Sequence, residues 1–386
     1  MRRDRVLTVP FALAVASTFG IFLTIGMLLP VLPLFAKGPL ASGELGVGIA
    51  VGASSPTALL FQPLAGWLGD HRGRRVLVVA GPLLMAVTIA ATTWVDSLAA
   101  LVALRLGTGI GEALAFCGVA TVVNDLAPPG RRGETISLYS LGVWSGLALG
   151  PLLGEAVLGD SHRFEAVWLV AASSALAAAG LALALPETRP APHPTRTRPR
   201  LLHPAAIAPG IVLVASAFGF AGFNAFVALH ARELGLGGAG VAFLLYAGIV
   251  LAIRVLGREL PDRLGSHRSA RLALALSGAG LLALGLWSAP AGLYLGTAIF
   301  ACGTALTFPS LMALAVGRAH ESERGAVVGT FGAFAEVGFA LGALSLGAIA
   351  AIVGYDGVFL AGAATALGGL ALLSRLPALP LRPTTP

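Results

Sequence analysis

Charge is scarce in this chain. Asp, Glu, Lys and Arg make up 11% of its 386 residues, less than half of the about 25% carried by soluble domains. One large core inside a solvated surface is therefore excluded. Cysteine is scarcer still: Cys117 and Cys302 are the two present, both inside apolar runs, so no disulfide framework or paired-cysteine metal motif exists. No Gly-Lys-Ser/Thr loop cradles a nucleotide phosphate, which removes ATP as a drive, and no His-Glu-x-x-His pair offers a zinc site. No apolar run alternates with period two, so a membrane barrel is excluded. Ser, His and acid gather in no hydrolase pattern. No cofactor, no metal and no enzymatic activity are expected.

What the chain has in abundance is apolar length. Hydrophobic residues make up 56%. A spanning helix needs about 20 of them in a row, and twelve runs qualify: 8–35, 43–69, 75–95, 97–125, 134–158, 163–185, 206–231, 238–260, 269–289, 291–317, 325–353 and 356–377. Backbone groups in lipid must pair within their own segment, so the runs are helices. The start, MRRDRVLTVPFALAVAS, has the basic residues of a signal peptide. Its apolar stretch continues through Leu29 to Pro30 and Pro33, too long for one, and reads as the first span.

Orientation follows from the cations. With the N-terminus inside, all but five of the 25 Lys and Arg fall in cytoplasmic segments. Lys37, Arg163 and Arg232 face out, and Arg105 and Arg254 lie within spans. This asymmetry places both termini in the cytoplasm and the chain in the cell membrane. The net charge of +7 is then topology and lipid contact, spread over all the inner loops, and not a nucleic-acid footprint.

An internal echo organises the runs. A shift of 192 residues superposes Leu68 on Leu260, Asp70 on Asp262, Gly73 on Gly265, Arg132-Gly133 on Arg324-Gly325, Gly146 on Gly338 and Gly150 on Gly342. The chain reads as two six-span halves, 1–186 and 206–386, related by a parallel repeat. Between them, 187–205 is rich in proline and arginine and has no apolar face, the composition of an extended cytoplasmic linker.

Three motifs now carry a resemblance. GWLGDHRGRR, Gly66 to Arg75, resembles the Gly-x-Leu-x-Asp-x-x-Gly-Arg-Arg loop between spans two and three of the major facilitator superfamily. Arg105-LGTGIGEA resembles its fourth-span motif. GVWSGLALGPLLG, Gly142 to Gly154, resembles the fifth-span motif of its drug:proton antiporter branches, and the second half is similar to an arabinose-efflux-like branch. The match covers the whole chain. It implies twelve helices in two pseudo-symmetric halves that rock around a central cavity. It also implies a monomer that takes a small molecule and protons. Two departures stand out: span one has no acid between Val6 and Ala36, and Glu155 occupies the place of the motif's usual final Gly.

The charged loop then reads as a latch. By that resemblance Asp70 would face the N-terminal end of span eleven, near Arg324, where free N–H groups favour an anion. Arg74 would reach Asp125 at the end of span four, with Arg75 beside it. Gly66 and Gly73 would permit close helix approach and a tight turn. The copy around Asp262 lacks the first Gly and has Ser266-His267 for the arginine pair, so its latch should be weaker. In span five, Gly142, Gly146, Gly150 and Gly154 form an i, i+4 face for backbone-close packing, and Pro151 bends the helix. Ordinary packing and a seal against proton leak are both compatible with that face.

Ionisable residues inside spans cost about 2.5–3.5 kcal/mol each on insertion scales and are functional candidates by default. Arg105 and Glu112 share a helix face with Gly109. Glu112 and Glu336 lie half-way through their spans, Arg254 lies in span eight, and Glu155 is near the outer end of span five. Arg105 is the expected partner of Glu112 and Arg254 that of Glu336. A carboxyl group that exchanges an Arg-paired surrounding for a desolvated one binds and releases a proton; the alternative is a static ion pair. Gln62, Phe220, Phe223, Asn224, Phe226, Tyr246 and Phe308 are the cavity candidates, a mostly apolar set suited to amphipathic compounds. Trp67, Trp94 and Trp168 near span ends read as interfacial anchors. His193, His203, His267 and His320 fall in loops and read as polar surface. The function expected is proton-coupled efflux of small organic compounds, with a proton symporter or facilitator for a sugar or organic acid as the alternative.

Overall fold

A computed structural model describes residues 6–128, 131–188, 202–256, 264–317 and 324–375, with side chains at all of these except 132–133, 137 and 324–326. The described residues are helices joined by short turns, without a strand. The helices are α1 (Val9–Lys37), α2 (Gly43–Arg72), α3 (Arg74–Ala91), α4 (Leu98–Leu126), α5 (Arg132–Leu158), α6 (Phe164–Leu183), α7 (Pro204–Glu233), α8 (Gly240–Leu256), α9 (Ser266–Leu286) and α10 (Pro290–Val316). The run Arg324–Arg375 is two helices, because Gly354 at φ 73°, ψ −174° breaks it. These are α11 (324–353) and α12 (355–375). A left-handed backbone of this kind favours glycine.

Ten helical segments are long and apolar enough to cross a membrane. The last of them counts twice, and α8 makes twelve. At about 1.5 Å rise per residue its 17 residues reach only about 26 Å; the sequence-predicted remainder of that span lies outside the described residues. With twelve crossings, the start of α1, the end of α12 and the α6–α7 connection share one side, the linker side. Residues 189–201 lie outside the described ones.

Local sequence sets the ends and breaks. The Thr8 hydroxyl accepts from Phe11 N at 3.3 Å to open α1, and Ser97 does the same for α4 with Ala100 N at 3.4 Å. Helix α2 is interrupted at Ala53, just before Pro56, whose ring removes a donor and crowds the carbonyl four residues back.

In the first six helices α1 lies against α5 and α6, α3 against α4 and α6, and α2 against α4. In the last six α7 lies against the α11–α12 run and α9 against α10. The repeat reappears in these contacts. A methyl group added at Gly150 would sit 2.7 Å from Gly26 Cα on α1. The same addition at Gly342, 192 residues on, would sit 2.7 Å from Phe218 Cα on α7, itself 192 residues after Gly26. The whole fifth-span glycine series faces α1: added methyls at Gly142, Gly146 and Gly154 would meet Val15 O at 2.8 Å, Leu23 N at 2.7 Å and Met27 O at 2.7 Å. That face packs within the first half and not between halves. Beside it, Pro151 lies against Gly26.

Two placements correct the sequence reading. Trp168 is no interfacial anchor: it is 1% exposed and packs edge-on to Phe35 at 5.2 Å. Trp67 and Trp94 are exposed. His203 is buried and caps α7, its Nδ1 accepting from Ala205 N at 3.2 Å. His267 reaches Leu373 O at 3.2 Å; His193 and His320 lie outside the described residues.

Candidate functional site: a cavity between the two halves

The halves meet along α2 with α11, α5 with α8 and α1 with α7. Between them is a cavity of about 410 Å³. Its walls are α1 and α4 on one side and α7 and α11 on the other, with α2 and Tyr139 of α5 completing the lining. Exposure along the lining shows where it opens. Leu32, towards the side opposite the linker, is 3% exposed, and Phe116, towards the linker side, is 53% exposed.

Three bonded sets close the opposite side. Lys37 of α1 contacts Glu44 and Tyr355, and Tyr355 Oη donates to Glu44 Oε1 at 3.1 Å. Arg232 Nη1 donates to His162 Nε2 at 2.9 Å. Glu155 accepts from Ala239 N at 2.6 Å and from Gly240 N at 2.7 Å. Each set joins a residue of the first half to one of the second.

The cavity holds three of the deep charges, Arg105, Glu112 and Glu336. Arg105 reaches from α4 into the interruption of α2. Its Nε donates to Ala50 O at 3.3 Å and its Nη2 to Ser54 Oγ at 2.9 Å. Ala50 and Ser54 lie on either side of the interruption, so the guanidinium ties its two flanks together. Arg105 Nη1 stands 3.9 Å from Glu112 Oε1, one helical face along. Close approach of α4 to α2 depends on Gly109, where an added methyl would lie 2.8 Å from the Ser54 carbonyl carbon.

Glu336 enters the same cavity from α11. Its neighbours are the Ser55 hydroxyl and, across the gap, the Glu112 carboxylate. It does not pair with Arg254, contrary to the sequence expectation. Arg254 lies over the Trp144 ring, 4.8 Å from its centroid, with Tyr246 as its polar neighbour. The spacing in sequence could not show that α8 turns this face to α5. The two acids therefore come from opposite halves and line one cavity, in which Arg105 stands beside Glu112.

Of the expected cavity side chains, Gln62, Phe220 and Asn224 line it; Asn224 Nδ2 donates to Phe220 O at 2.8 Å. Phe223 and Phe226 are fully buried behind that wall, against Phe300 at 5.2 Å and Tyr355 at 5.7 Å between ring centroids. Tyr246 is buried beside Phe220 and Phe300. Phe308 is off the lining, 40% exposed and edge-on to Phe331. These four are packing residues. Sequence reasoning missed Ser54, Ser55, Tyr139 and Phe339; the polar pair Ser54-Ser55 ahead of Pro56 was the available signal.

On the linker side, Arg74 Nε reaches Asp125 Oδ2 at 3.1 Å and its Nη2 lies 3.7 Å from Asp70 Oδ1. Gly73 turns the chain at φ 104°. Gly66 makes no close approach, since an added methyl there would meet nothing within 4 Å. A partner the sequence did not reveal is Glu187. Its carboxylate accepts from Arg74 N at 2.7 Å and Arg75 N at 3.2 Å, capping α3, while the Arg75 side chain donates to Leu183 O. Asp262 and the Arg324 side chain, the other parts of the expected latch, lie outside the described residues.

Comparison with known proteins agrees with this architecture. The family model described as Major Facilitator Superfamily matches residues 14–320 and 210–386. A relative in Salmonella typhimurium, an uncharacterized MFS-type transporter, is 32% identical over 94% of this chain and 95% of its own length. Among solved structures, the nucleoside transporter NupG superposes with a TM-score of 0.76 at 15% identity, covering 95% of this chain and 98% of that one. The human organic anion transporter MFSD10 (TETRAN) superposes with 0.71 at 21% identity, covering 95% and 99%.

Proposed function

The chain belongs to the major facilitator superfamily, a family of multi-pass membrane transporters rather than enzymes, and from that premise we propose that it is a proton-coupled exporter of small amphipathic cations. One observation carries the reading. Two carboxylates, Glu112 and Glu336, and one guanidinium, Arg105, share a largely apolar cavity. That set leaves one negative charge uncompensated when both acids are ionised. A proton or a cationic substrate can neutralise it, and each displaces the other. Such competition for one charge is what exchange requires, and it needs no acid in α1.

The asymmetry of the cations supports a linker side that faces the cytoplasm, with the chain in the cell membrane. The cavity then opens inward, with the outer side closed by the three bonded sets. In this state a substrate enters past Phe116 and Gln62 and packs on Phe22, Phe220 and Phe339. It displaces the proton held by the Glu112–Glu336 pair. After the halves rock, a proton arriving from outside displaces the substrate in turn. Arg105 stays bonded to α2 as a fixed counter-charge. On the linker side Asp70, Arg74 and Asp125 all belong to the first half, and their contacts, of about 1 kcal/mol or less each, are made while that side is open.

Everted membrane vesicles, acidified inside and carrying a lumenal pH dye, test this. Lipophilic cations should dissipate the gradient with the native protein, and Glu112→Gln or Glu336→Gln should abolish the response. Dissipation that survives both substitutions would refute the assignment. A response to sugars or organic acids, in the direction of uptake, would establish the symport alternative instead.

A further inference from the structure

The repeat exposes an asymmetry at the side opposite the linker. The α2–α11 and α5–α8 contacts are equivalent under the 192-residue shift, which relates Gly48 to Gly240 and Glu155 to Gly347. At the first contact two glycines meet: a methyl added at Gly347 would lie 3.1 Å from Gly48 Cα. The backbones touch, and the nearest polar link among the described residues is one turn away, from Tyr355 of α12 to Glu44. At the second, Glu155 stands in the place of Gly347 and bonds to the amides that open α8.

The fit is specific. Both carboxylate oxygens are used, one on Ala239 N and one on Gly240 N. The surrounding glycines form a cradle that any side chain would fill, since a Cβ on Gly238 or on Gly240 would lie 2.5 Å from a carboxylate oxygen. Arg232 of α7 adds a positive field at the same point and is itself bonded to His162. An anion with two amide bonds at a helix N-terminus combines charge-assisted hydrogen bonding with the helix dipole. Its partners belong to the other half of the molecule, so this interaction must break whenever that side opens.

We propose that Glu155 is the latch that holds the two halves shut on the side opposite the linker, and that its release sets how often that side opens. The proposal rests on the alternating-access reading and not on proton coupling. Replacing the carboxylate removes two bonds that exist only in the closed form, so the balance of states moves while each half keeps its own packing.

The test measures distances between halves. Native cysteines Cys117 and Cys302 are replaced by alanine, and spin labels are placed at Ser161→Cys and Ala291→Cys, both exposed on that side. The full chain is reconstituted in lipid nanodiscs without substrate or pH gradient, and pulsed electron paramagnetic resonance gives the distance distribution. The Glu155 protein should populate mainly the short distance. Glu155→Ala should raise the ratio of long to short distances at least about tenfold, the scale of one charge-assisted bond. Glu155→Gln, which keeps one acceptor oxygen, should fall between them. Gly240→Ala, which leaves the acid but fills its cradle, should shift the ratio in the same direction. Identical distributions in all four proteins would overturn the proposal. So would a shift with Glu155→Ala but none with Gly240→Ala, because the acid would then act away from the amides. A negative vesicle assay would leave these distances untouched, so the two readings fail separately.

Discussion

Arg105→Met is the most informative single perturbation of the cavity. The substitution keeps the apolar length of the side chain and removes the one cation. At 3.9 Å from Glu112, the Coulomb attraction lost is about 4 kcal/mol with an effective dielectric constant of about 20. Desolvation offsets much of that in any ion pair, and bonds to Ala50 O and Ser54 Oγ disappear as well. The protein avoids the full penalty by keeping a proton on Glu112. Two consequences follow. Thermal stability in detergent should fall for Arg105→Met and recover in the double variant with Glu112→Gln, giving a coupling of about 1–3 kcal/mol in a double-mutant cycle. Flux driven by a pH gradient should be lost, while exchange of labelled for unlabelled substrate at uniform pH continues, since that exchange needs no proton release. A coupling near zero, with gradient-driven flux intact, would refute the account of Arg105 as counter-charge to the coupling acid.

The architecture was legible because lipid imposes simple rules. Apolar length marked the spans, and the 192-residue echo marked the helices whose packing repeats, each a one-dimensional signal. Even the α11–α12 boundary showed, at Gly354. Site residues were legible where two of them share a helix face, as Arg105 and Glu112 do. They were illegible where placement depends on how one helix turns against another. Phe223 and Asn224 are neighbours in sequence, yet Asn224 lines the cavity and Phe223 is sealed behind it. Arg254 went to Trp144 of α5 rather than Glu336 for the same reason. Glu155 and Glu187 act on backbone amides of distant helices, and such partners have no side-chain identity to read.

Two further outcomes separate packing from transport. Phe223→Ala should cost about 3–5 kcal/mol in thermal unfolding and leave substrate preference unchanged in surviving protein. Phe220→Ala, on the cavity wall, should alter apparent substrate affinity with a smaller stability loss; the reverse pattern would misplace the wall between them. Gly150→Val probes the seam between α5 and α1. A methyl there already meets Gly26 Cα at 2.7 Å, and the atoms on both sides are main chain, which cannot move aside by a rotamer change. Overpacking of this kind destabilises by about 1–3 kcal/mol, so the variant should elute as a less monodisperse species with a lowered melting point. Because the seam lies within the first half, spin-label distances across each half interface should stay as in the native protein, and a shift in those distances would show that the glycine face acts between the halves after all.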